Sequence, residues 1–192
     1  MHKLISSSIS ALALAASASA AIVDFDLIGK SGIPGMRFDN ENPASVSTAT
    51  GGEVFGGITF DDSNNLLVLN VGWGSGKGFS DLTGTVVAAH IHAAGGPNFL
   101  TTNGGVIISL DGATPGFSSS ATNGGWTNTQ VTLSAAQKTQ LFNGQLYLNA
   151  HTAANGGGEL RGNLVQAVPE PSVFGLLTLG ATGAMLRRRR NS

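Results

Sequence analysis

The chain has no cysteine in its 192 residues, so disulfide cross-links, thiol catalysis and thiolate metal ligation are all excluded. Charge is sparse, with Asp, Glu, Lys and Arg making up only 11% of the residues. Between residues 21 and 168, five basic side chains stand against ten acidic ones, a formal charge of −5. The absence of a basic stripe argues against nucleic acid as a partner. Aromatic residues are few, and neither apolar run in the chain reaches the ~20 residues of a comfortable membrane span. What is abundant is glycine, at 28 residues, together with Ser, Thr, Asn and Ala. Such a composition supplies many turns and few helix formers, and it favours short strands over helices.

The two ends differ from the body. Met1-His2-Lys3 is a short basic region, Leu4 to Ala16 is mostly apolar, and Ala18-Ser19-Ala20 offers an A-x-A cleavage pattern. Residues 1–20 therefore read as a signal peptide, removed by signal peptidase to leave a chain beginning at Ala21. At the other end the composition breaks at Val168. Pro169-Glu170-Pro171 is followed by a small and apolar stretch from Ser172 to Leu186, then by Arg187, Arg188, Arg189 and Arg190. The stretch reads as a single anchor helix entering the inner membrane, with the arginines held on the cytoplasmic side. Residues 169–192 closely resemble the PEP-CTERM sorting signal. That resemblance implies recognition by an exosortase, cleavage near the triad, and delivery to the cell surface or extracellular matrix.

Residues 21–168 make one domain, large enough for its own core. Period-two alternation and turn signals predict strands over 22–28, 53–60, 65–73, 85–92, 105–110, 130–133, 145–152 and 159–166, with a loop from Gly29 to Thr48. One helix is expected over 134–142, N-capped by Ser134 and stopped by Gly144. The expected fold is an all-β, antiparallel Greek-key β-sandwich with one short helix.

Once His2 leaves with the signal peptide, three histidines remain, each in a predicted strand. His90 and His92 share a strand face, and His-x-His is a spacing that places two imidazoles on one metal ion. His151 shares its face with Tyr147 and Asn149, so a third nitrogen joins if the strand register brings it close. Glu159 and Arg161 are expected on one face, either paired with each other or flanking the same site. The ions that suit imidazole here are copper and zinc, with proton-linked uptake. The alternative is a hydrogen-bonded polar network with a purely structural role.

Other catalytic patterns are missing. No serine lies in a G-x-S-x-G elbow. Asp61-Asp62 reads as a turn pair. Gly72 to Gly78 lacks phosphate-loop spacing and reads as a flexible loop with an aromatic tip. Trp73 and Trp126 read either as sugar-stacking groups or as packing anchors.

Asn40-Glu41-Asn42-Pro43, His90-Ile91-His92, and Tyr147-Leu148-Asn149-Ala150-His151-Thr152 followed by Gly158-Glu159-Leu160-Arg161-Gly162 resemble the CHRD (chordin) domain over about residues 36–166. Ala93 departs from the glycine common after H-I-H, and Pro43 stands where two prolines are common. The resemblance implies an exported β-sandwich and brings no activity with it. The preferred reading is a non-enzymatic binding or structural module for an extracellular protein or polysaccharide. The alternative is a copper- or zinc-binding domain, redox-active if the ion is copper, with His90, His92 and His151 as ligands.

Overall fold

Apolar residues at alternate positions drive each strand to bury one face, and the turn-rich intervals let the strands pair antiparallel. The computed structural model of the protein describes residues 21–96 and 98–168. The expected export segment (1–20) and sorting segment (169–192, with Pro169 to Pro171 and Arg187 to Arg190) lie outside these residues.

Among the described residues ten strands form in chain order: β1 (Ile22–Ile28), β2 (Met36–Arg37), β3 (Thr50–Asp61), β4 (Leu66–Trp73), β5 (Val86–Ala94), β6 (Gly104–Ser109), β7 (Phe117–Ser118), β8 (Gly124–Thr132), β9 (Leu146–Thr152) and β10 (Leu160–Gln166). All pairings are antiparallel, along the path β6-β5-β9-β10-β1-β3-β4-β8-β7. The chain crosses between the two halves of this path after β4, after β6 and after β8, which gives the all-β sandwich its Greek-key connections. β2 pairs with both β10 and β3, taking up the place between them beyond the end of β1. The expected loop over 29–48 therefore contains a short piece of sheet, too brief to show any periodicity.

The predicted strand over 130–133 is longer than expected, because β8 begins at Gly124. Gly124 and Gly125 look like turn residues, yet the Trp73 indole lies where a Gly124 side chain would project, so only glycine lets β8 run past it.

The halves close on one core. At one end Trp73 and Trp126 meet edge to face at 5.1 Å, with Phe117 tilted against both. Their indole N–H groups donate to Ser120 O (2.8 Å) and Leu110 O (2.9 Å), so each buried ring satisfies its polar atom. Both tryptophans are fully buried, which makes them packing anchors and corrects the aromatic-tip reading of the Gly72–Gly78 loop. At the other end the helix α1 (Ala135–Phe142) lays Phe142 against Phe25 and Phe60, each at 5.7 Å. Ser134 caps α1 through a reciprocal capping box with Gln137. Asp61 is a turn residue: its carboxylate accepts from Ser63 and Asn64.

Trp126→Ala should destabilise the domain by roughly 3–5 kcal/mol, and Ser134→Ala by about 1 kcal/mol, as measured by denaturant unfolding. Equal losses from the two changes would contradict the assignment of Trp126 to the closing core.

Candidate metal centre

In β5, β9 and β10 the register fixes what each face carries. Ile91 lies opposite Leu148, which lies opposite Gly162, and these face the apolar core. On the other face His92 lies opposite Tyr147, His90 opposite Asn149, and Asn149 opposite Arg161. This outward face is covered by the segments at 38–47 and 98–104, so it becomes a second buried layer, made of polar groups. His92, Tyr147, Asn149, Arg161 and Asn163 are all buried in it.

The three histidines converge. One nitrogen from each lies within 4.8 Å of the others. His90 Nδ1 and His151 Nε2 are 3.3 Å apart, close to the ~3.3 Å between two tetrahedral zinc ligands at bond lengths of about 2.0–2.1 Å. His92 Nδ1 lies 2.9 Å from Gly104 O and His151 Nδ1 lies 3.0 Å from Gly156 O. A carbonyl accepts only, so each of these Nδ1 atoms carries its proton and donates, leaving Nε2 as the lone-pair nitrogen. A backbone carbonyl bonded to one imidazole nitrogen, freeing the other, is the arrangement that orients metal-ligating histidines. His92 Nε2 is buried and has no hydrogen-bond partner, a costly state for an isolated polar atom. Without an ion, His90 Nδ1–H must donate to His151 Nε2, and that proton moves when both nitrogens ligate.

Burial lowers the pKa of His92 and of His151, and the neighbouring imidazoles add to the effect. Both rings are thereby held neutral, as ligation requires.

Arg161 and Glu159 do not pair, contrary to one of the sequence expectations. Glu159 sits just before β10, directly after the turn, where four donors surround its carboxylate: Ser47 Oγ (2.6 Å), Thr83 N (2.8 Å), Thr83 Oγ1 (2.7 Å) and Thr152 Oγ1 (2.6 Å). Burial raises its pKa, but these hydrogen bonds outweigh burial and hold it below the usual value. Arg161, inside β10, turns instead to the covering segment. Nη1 donates to Asn103 Oδ1 (3.0 Å), Nη2 to Phe99 O (3.0 Å) and Thr102 O (2.9 Å), and Nε to Asn163 Oδ1 (3.3 Å). Its guanidinium carbon lies 3.8 Å from the Tyr147 ring centre, and Tyr147 stacks on His92 at 4.8 Å and 13°.

Glu41 is a member of the site that sequence reasoning quoted only as part of a motif. It is 3% exposed, and its Oε1 has no hydrogen-bond partner; neither has Asn149 Oδ1. Both oxygens occupy the space into which a Gly158 side chain would project, and with its φ of 123° this position requires glycine. Burial pushes Glu41 up to about 7, against the opposing pull of Arg161 and of a hydrogen bond from the Asn42 backbone. Asn103, Gly104 and Gly156 were also missed. Gly104 opens β6, Asn103 precedes it and Gly156 lies in a turn, and nothing in their own sequence marks what they cover.

A family model described as the CHRD domain matches residues 36–164. A second, the PEP-CTERM protein-sorting motif, matches residues 167–190. Neither describes an enzyme. The chain matches no curated protein and no solved structure. Among the described residues no helix is long and apolar enough to cross a membrane.

A carboxyl group with a raised folded-state pKa holds its proton more tightly than the unfolded chain does. Its contribution to stability is complete below pH 4.5 and is lost as pH rises to about 7. Glu41→Gln, which cannot ionise, should therefore gain on the wild type by up to about 3 kcal/mol across that window, and the gain should be flat above it. Paired urea titrations at pH 4.5, 6 and 8 check this. A constant difference across the three would refute a buried, proton-holding Glu41.

Proposed function

The chain belongs to the CHRD domain family and carries a PEP-CTERM protein-sorting motif, and from that premise we propose that it is a displayed, non-enzymatic metal-binding domain. The sorting motif places the protein among exported, surface-sorted chains processed by an exosortase. Its route is signal-peptide removal after residue 20, transient anchoring in the inner membrane through residues 172–186, and cleavage near Pro169-Glu170-Pro171. Once outside, His90, His92 and His151 bind one copper or zinc ion.

The observation that carries this reading is the unpartnered, buried His92 Nε2 beside two further imidazole nitrogens, with carbonyls already fixing the tautomers of His92 and His151. A structural network would have satisfied that atom. Three neutral imidazoles leave a fourth coordination position open for water or an outside ligand. The burial of both tryptophans weighs against the polysaccharide-stacking role, since neither ring is accessible to a sugar.

The purified full chain, incubated with copper or zinc and dialysed, should retain about one ion per chain by mass spectrometry. His92→Ala should abolish retention while the fold persists. If the wild type retains none, or if the triple His→Ala variant retains as much as the wild type, the metal reading fails.

Export is tested separately. Deleting residues 169–192 should leave the protein out of the surface fraction without lowering the metal content of the remainder.

A further inference from the structure

Arg161 makes no direct contact with the three imidazoles in the hydrogen-bond pattern, yet it is a fully buried cation, and among the described residues no carboxylate lies within ion-pair distance of it. A guanidinium is rarely buried on such terms unless its donors hold something in place. Here three of its four hydrogen bonds go to Phe99, Thr102 and Asn103. Asn163, two residues along the same face of β10, adds a fourth tie by donating to Phe99 O (3.0 Å). The next residue of the tethered segment is Gly104, whose carbonyl accepts a hydrogen bond from His92 Nδ1–H and whose N–H donates to the Tyr147 hydroxyl (3.0 Å). Tyr147 is itself the ring on which both Arg161 and His92 rest.

We infer that Arg161 is the positioning residue of the histidine centre. Its fork of donors fixes the 99–104 segment, the segment aims the Gly104 carbonyl, and the carbonyl locks His92 with its proton on Nδ1 and its lone pair on Nε2. His151 takes its orientation from Gly156, on a different turn, and is independent of this linkage. The inference rests on the metal-binding reading for its purpose, but its physical content is a tautomer, which is measurable without any ion.

The test is nitrogen-15 NMR of histidine-labelled full chain, metal-free, at pH 8, where unperturbed imidazoles are neutral. In the wild type His92 and His151 should each show a single tautomer with the proton on Nδ1. Arg161→Lys keeps the charge and loses the planar fork, and it should turn His92 into a mixture of tautomers while His151 stays single. Metal affinity should fall 10–100-fold, the usual effect of removing a group that orients a ligand.

Should Arg161→Lys fail to fold, Asn103→Ala removes one Arg161 bond and one bond to Asn42 O next to Gly104, and it should shift His92 in the same direction. An unchanged His92 tautomer in the folded variant overturns the inference. So does a parallel change in His151, which would mark a general loosening. If the wild type binds no metal while the selective His92 response is present, the metal reading falls and the positioning role stands.

Discussion

A strand has two faces, and in β9 and β10 both are buried. The inner one packs Leu148, Ala150, Leu160 and Leu164 into the core. The outer one carries Tyr147, Asn149, Arg161 and Asn163 under a cover of loops. Hydrophobic transfer suffices for the first layer, whereas each atom of the second must find a partner or cost 1–3 kcal/mol. The covering segments are shaped by that requirement. Phe99, Thr102, Asn103 and Gly104 supply acceptors where the outer face has donors. Polar satisfaction thus determines where the loops lie, and the loops determine how the imidazoles point.

The charge arrangement follows from the same constraint. Glu159 is stabilised by four hydrogen-bond donors and needs no cation. Glu41 has only the Asn42 backbone as a donor, and burial shifts it towards the neutral form despite the nearby Arg161. Two buried carboxylates are thereby pushed in opposite directions, Glu159 towards the ionised form and Glu41 towards the protonated one.

Period-two alternation made the histidine cluster legible in the sequence. His90 with His92, and His151 with Tyr147 and Asn149, were placed on their faces correctly because side-chain direction along a strand is fixed by geometry. The all-β antiparallel sandwich and the capped helix from Ser134 were legible for similar local reasons. β2 and β7, two residues each, carry no period at all. The first half of β8 was hidden by a Gly-Gly pair whose role is to pass under an indole. Of the two arrangements expected for Glu159 and Arg161, pairing with each other does not occur, because Glu159 lies at the turn before the strand, where the hydroxyls of Ser47, Thr83 and Thr152 reach it first. Gly104 and Gly156 were not recognisable, since a carbonyl's partner depends on tertiary packing and leaves no trace in residue type.

The position of β10 has a consequence for the order of events during export. It is the last strand made, yet it lies between β9 and β1, the first strand, and Ala167 N–H still bonds Asp24 O at its end. A chain threaded N-terminus first cannot complete this sheet progressively. β1 must wait with one edge open until nearly all of the domain has crossed, and the sheet closes only when the residues adjoining the sorting motif emerge. Closure of the sheet and emergence of the sorting motif are nearly simultaneous, with almost no slack between a finished domain and the motif that follows it.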